Sequence, residues 1–179
     1  VTKLVKKNVK KKAAAQLPAD AKTGYAAPDE ARPGEFAKAR IALLATRWNT
    51  DIVDALVAGA RQCLLDWGVA EQRIELIRAP GAFEVPLACQ LLLESRFDGV
   101  VALGAVIRGD TPHFDYVAGE CARGLIEVQL KTGKPLGFGV LTVNTVRQAR
   151  ERAGPGRANK GYEAAAAMLE MLRLRKELS

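Results

Sequence analysis

One histidine in 179 residues, His113, leaves the chain short of the imidazole ligands that zinc, copper and non-haem iron sites ordinarily use. Cysteine is almost as scarce. Cys63, Cys89 and Cys121 are odd in number, widely spaced and set in apolar helical stretches. That pattern suits reduced thiols packed as small hydrophobes better than disulfides or a metal cluster. No metal site is expected. No run of 18 or more apolar residues occurs, which argues against a membrane-spanning helix, and the basic N-terminal stretch lacks the apolar core of an export signal. With 49% hydrophobic and 26% charged residues, the expectation is a single cytoplasmic domain with one hydrophobic core and no membrane partner.

Acid is missing from the first dozen residues. VTKLVKKNVKKK carries six lysines and no Asp or Glu. Residues 1–40 hold ten Lys/Arg against four Asp/Glu, so they supply +6 of the formal +7 charge and leave the rest of the chain nearly neutral. Residues 1–37 therefore read as a basic, flexible arm and 38–179 as the folded domain. Such an arm can tether nucleic acid, an anionic surface or acidic cargo. It can equally be a solubilising tail or targeting remnant, since no aromatics interleave its lysines for base stacking.

From Arg40 the pattern becomes regular. RIALLAT (40–46) suits a buried strand, and residues 51–68 follow with helical spacing that places Ile52, Val53, Leu56, Val57, Ala60 and Leu64 on one face. Asp51 and Asp54 suit the positive end of that helix, and Gly68 suits its termination. Three more units repeat the order, with strands at 73–79, 98–104 and 136–143 and helices at 84–96, 115–133 and 144–152; a last helix runs from about Asn159 to the end. Strands alternating with helices predict a four-stranded parallel sheet with helices on both faces, a three-layer α/β domain. Ligands of such sheets bind beyond the C-terminal strand ends, here residues 46–51, 79–84, 104–115 and the Val143–Asn144 turn.

The third of these loops is the richest. Gly109, Asp110 and Thr111 lead through Pro112 to His113 just before a helix, where backbone N–H groups and the dipole form an anion site. His113 would then stand beside a bound anion with a side chain able to take and give a proton near neutral pH. An equally good reading makes His113 a helix cap or a surface turn residue. The segment APGAFE brings Gly81 and Ala82, small enough for a planar ligand to approach the backbone, next to Phe83 and Glu84. Trp48 and Asn49 add an aromatic face and an amide. Each has a structural alternative: Trp48 as packing, Glu84 as a first-turn helix charge. Arg152, at a helix end, suits either a phosphate or its own helix's terminal carbonyls.

In combination, PGAFEVP, LGAVIRGDTPHFDYV, FGVLTV, ERAG and NKG resemble, in order and spacing over about residues 40–175, the lumazine synthase family. The resemblance implies a flavodoxin-like domain assembled as a pentamer or as an icosahedral shell of about sixty subunits, with active sites between neighbours. It implies cofactor-independent condensation of 5-amino-6-(D-ribitylamino)uracil with 3,4-dihydroxy-2-butanone 4-phosphate in riboflavin biosynthesis, and riboflavin synthase as a candidate partner. On this matching His113 takes the proton-transfer position and Trp48 the position that stacks on the pyrimidine. Ala82, Phe83 and Glu84 fall on the segment binding pyrimidine and ribityl chain, and Ala105, Val106 and Ile107 on the strand end beside the ring. Asp110 and Thr111 fall on the phosphate turn. Phe138 and Arg152 resemble contributions from the adjacent subunit, with Lys160 supporting that wall. Two other readings stand beside this one. The first is a non-catalytic shell or flavin-binding protein whose lysine arm recruits anionic cargo, motivated by that arm and by the carboxylate of Asp110. The second is the related archaeal-type riboflavin synthase.

Overall fold

The structure, a computed structural model, describes residues 31–179. The lysine-rich part of the predicted arm lies outside the described residues. Four strands, β1 (Ile41–Thr46), β2 (Ile74–Ala79), β3 (Gly99–Ile107) and β4 (Leu136–Val143), form one parallel sheet in the order β2-β1-β3-β4. Five helices connect and cover them: α1 (Thr50–Asp66), α2 (Val85–Glu94), α3 (His113–Thr132), α4 (Val146–Arg152) and α5 (Lys160–Leu178). The predicted three-layer α/β fold is the one observed.

Period-2 alternation sends the two faces of the sheet into separate cores. Ile41, Leu43, Val101, Leu103, Leu141 and Val143 pack with the apolar stripes of α1 and α5. Ala42, Leu44, Val100, Ala102 and Val140 pack with α2 and α3. β1 lies between β2 and β3 and is buried along its whole length, which is why RIALLAT reads as a continuous apolar run. The predicted stripe of α1 is buried as expected, joined by Cys63, and Gly68 takes the left-handed conformation (φ +82°) that ends the helix.

Two boundaries move. β3 runs on to Ile107, because its last residues continue the ladder to β4 through the Ile107–Val143 pair. α3 begins at His113, two residues earlier than the spacing indicated, since Pro112 can stand at the N-cap without a lost donor. Two residues of the stretch read as an arm pack on the domain. Phe36 is fully buried against Trp67, and the Glu35 carboxylate accepts two hydrogen bonds from Arg173 of α5 at 2.6 and 2.9 Å. That contact, the largest influence on the group, holds the Glu35 carboxyl below the ordinary carboxylate range.

α5 crosses the sheet at close range because glycines remove the obstacle. A Cβ at Gly137 would collide with the Ala164 carbonyl, and one at Gly161 with the Leu56 carbonyl. Asn159 ties this crossing together. Its amide donates to the carbonyls of Ala55, Ala153 and Gly154 at 3.1, 3.0 and 2.8 Å, and its Oδ1 accepts from Gly161 and Tyr162 at the start of α5. All three cysteines are buried and free; burial pushes the Cys63 thiol up to about 12 and the Cys121 thiol up to about 11. Among the described residues no helix is long and apolar enough to cross a membrane.

Asn159→Ala leaves five backbone groups without their partner and is expected to lower unfolding free energy by about 3 kcal/mol, measured by urea titration. Glu35→Gln is expected to cost about 2 kcal/mol at neutral pH. Because the folded carboxyl is depressed, the wild-type advantage is complete above the ordinary glutamate range and declines as pH falls through the lowered value; paired unfolding curves at neutral and acid pH measure it.

Candidate active site

The topology places a crevice at the C-terminal ends of β1 and β3. From β1 the chain leaves through α1 on one face, and it reaches β3 through α2 on the other, so the loops diverge and leave room between them. A cleft of about 640 Å³ occupies this position, walled by the loop after β1, the turn after β2, the end of β3 and the first turns of α3.

Trp48 and Asn49 enter from the first loop. Asn49 adopts a left-handed conformation (φ 54°) and donates from its amide to the Ala105 carbonyl at 3.1 Å, pinning this loop to β3. Trp48 is 72% exposed, so its indole is held out over the cleft and is not part of the core; the packing alternative applies instead to Trp67. Gly81 brings the next pair together: a Cβ there would lie 3.2 Å from Glu84 Oε2 and 3.5 Å from Trp48 Cδ1. A 3-10 turn, Ala82–Glu84, then leads into α2 and leaves Phe83 exposed. Ala105, Val106 and Ile107 form the floor with Thr46.

Gly109, Thr111 and His113 line the opposite wall, while the exposed Asp110 between them does not. His113 is the first residue of α3 and caps nothing, since the N-cap is Pro112 and no side chain closes that end. The imidazole therefore stands at the positive end of a 20-residue helix, beside a turn with exposed backbone. Phe114, Tyr116 and Val117 also line the cleft. Tyr116 and Val117 follow His113 at i+3 and i+4, a helical spacing from which they were predictable.

Phe138 and Arg152 do not join these residues. They line a separate groove of about 910 Å³ along the outer edge of β4 and the start of α5, together with Lys160. Arg152 donates to the Gln148 carbonyl at 3.1 Å, and Lys160 pairs with Glu163 at 2.6 Å. Among the described residues no three His, Cys, Asp or Glu side chains converge as a metal site requires.

The family model described as 6,7-dimethyl-8-ribityllumazine synthase matches residues 38–176. The chain belongs to the lumazine synthase family. Two relatives carry that description: one from Lawsonia intracellularis is 49% identical over 141 residues, and one from Desulfovibrio desulfuricans is 51% identical over 140. Each alignment covers 78% of this chain and 90% of the relative. The lumazine synthase match begins at residue 38, just past the buried Phe36.

The exposed Trp48 indole, beside the small residues of the 81–82 turn, offers the cleft a flat apolar face. Trp48→Ala is expected to weaken binding of a pyrimidinedione by about tenfold while Trp48→Phe stays within about threefold, as titration calorimetry would record.

Proposed function

We propose that the protein is a transferase that makes 6,7-dimethyl-8-ribityllumazine from 5-amino-6-(D-ribitylamino)uracil and 3,4-dihydroxy-2-butanone 4-phosphate. The observation that carries this reading is the convergence of Trp48, Ala82–Glu84, the end of β3, Thr111 and His113 in one cleft of a chain from this family.

The pyrimidine stacks on Trp48 between the 82–84 turn and the floor at Ala105, Val106 and Ile107, while Glu84 and its neighbours meet the ribityl hydroxyls. The butanone phosphate sits on the backbone of Asp110 and Thr111 at the start of α3, where the dipole favours an anion. Amine and ketone are then held side by side, which removes much of the entropic barrier to imine formation. His113 accepts and returns the protons that move as the carbinolamine loses water and the phosphate departs. Asp110, whose side chain stays outside the cleft, leaves its N–H available to the phosphate.

We further propose that the active unit is a homo-oligomer, a pentamer or a shell built from pentamers, in which Phe138, Arg152 and Lys160 of one subunit close the cleft of the next. Support comes from the separation of these residues from His113 within one chain, and from apolar side chains facing solvent. Phe83, Leu87 and Leu91 recur at i, i+4 and i+8 with exposures of 62, 65 and 60%. Such a stripe offers a neighbouring subunit an apolar face to cover.

Steady-state lumazine formation, followed by absorbance, tests the chemistry: His113→Ala is expected to lower kcat by about 10²–10³-fold. Arg152→Ala is expected to raise KM for the phosphate substrate by at least about tenfold. Refolding the two variants as an equal mixture should restore activity to about a quarter of the sites, because some neighbours then supply complementary halves. A mixture no better than its components would refute shared sites.

A further inference from the structure

Arg108 lines neither groove, yet its side chain holds Asp115, Asn144 and Phe114 beside His113. Its backbone N–H donates to the Val143 carbonyl at 2.9 Å, so the sheet holds its Cα just past the end of β3. From there the guanidinium crosses the 109–112 turn and grips Asp115 in the first turn of α3, Nη2 to Oδ1 at 2.7 Å and Nη1 to Oδ2 at 3.2 Å. Its Nε donates to Asn144 Oδ1 at 3.2 Å, and its carbon lies 4.1 Å from the centroid of the Phe114 ring. The hydrogen bond from Arg108 is the first cause holding the Asp115 carboxyl below its ordinary range.

Fold stability does not account for this arrangement. The two side chains are 42 and 60% exposed, and ion pairs so open to water add little to folding. Its placement has a different consequence. The turn that carries the phosphate-facing N–H groups, and His113 itself, lies between the two clamped residues. Among the described residues no side chain hydrogen-bonds the His113 ring, so its position follows from that of the turn.

We propose that Arg108 and Asp115 are positioning residues: a clamp, stacked on Phe114, that fixes the 109–111 backbone and His113 relative to each other without touching substrate. Three of the five guanidinium N–H donors face protein acceptors, which suits a strut better than an anion ligand. The inference rests on the function proposed above and extends it to residues outside the cleft.

A double-variant cycle on the full chain tests it. Arg108→Gln, Asp115→Asn and the double variant should each lower kcat by about 30-fold, the size of effect that a misplaced catalytic group produces. The three losses should agree within about twofold, because either change alone opens the clamp. KM for the pyrimidine substrate and the thermal midpoint should stay near wild type. A second readout needs no turnover. His113 is the chain's only histidine, so carbethoxylation followed by ultraviolet absorbance reports on it alone, and inorganic phosphate should protect it. In the clamp variants the half-protecting phosphate concentration should rise about tenfold as the cradle loosens. Losses that multiply in the double variant, or unchanged phosphate protection, overturn the proposal. Should the neutral variants fail to fold, Arg108→Lys keeps the charge but removes the fork and the stacking face. Wild-type kcat and protection in that variant overturn the clamp, and reduced values support it. An inactive wild type would sink the functional reading while leaving the clamp to be judged by protection.

Discussion

β1 hydrogen-bonds to β2 on one side and to β3 on the other, and both of its faces are covered by helices. A parallel strand in that position has no exposed side, so all six residues from Ile41 to Thr46 are buried. The crossovers must then leave on opposite faces, α1 toward one core and α2 toward the other. Where they part, at the C-terminal ends of β1 and β3, the backbone cannot close over the sheet. The cleft is a consequence of that parting, and the residues at its rim are whichever ones end those strands and begin the next helices.

The rim residues differ, by local structure, in the groups they present to the cleft. A loop pinned through Asn49 to Ala105 presents an indole; a short turn after β2 presents small residues and a carboxylate; a helix N-terminus presents backbone donors and an imidazole. Close packing also orders the crossing of α5 beside the second groove. Glycines let α5 press onto β4 and α1, and Asn159 locks that crossing to the carbonyls of Ala153 and Gly154, directly after Arg152. The groove carrying Arg152, Lys160 and Phe138 and the cleft carrying His113 are separate surfaces of one chain.

Much of this was legible in residue order. Buried strands announce themselves as short apolar runs, and α1 as a stripe ended by glycine, because burial on two faces and on one face produce different periods. The loops after β1, β2 and β3 followed from the α/β pattern. Misplaced boundaries have equally local causes. β3 extends to Ile107 only because Val143 is there to pair with it, and α3 starts at His113 because Pro112 occupies its cap. Phe36 was assigned to the arm because a single aromatic in a basic, Ala- and Pro-rich stretch has no periodicity; its burial depends on Trp67 and Arg173, which are distant in sequence.

By itself the sequence determined the layer architecture, the family and the kinds of side chain at the strand ends, since these depend on period, composition and the order of short motifs. Only the tertiary structure decided which of those side chains share a cavity. Tyr116 joins His113 and Asp110 turns away from the cleft, while Arg108 spans its turn to reach Asp115. Such relations depend on the direction of each side chain from a backbone fixed by contacts far along the chain, and no local pattern carries that direction.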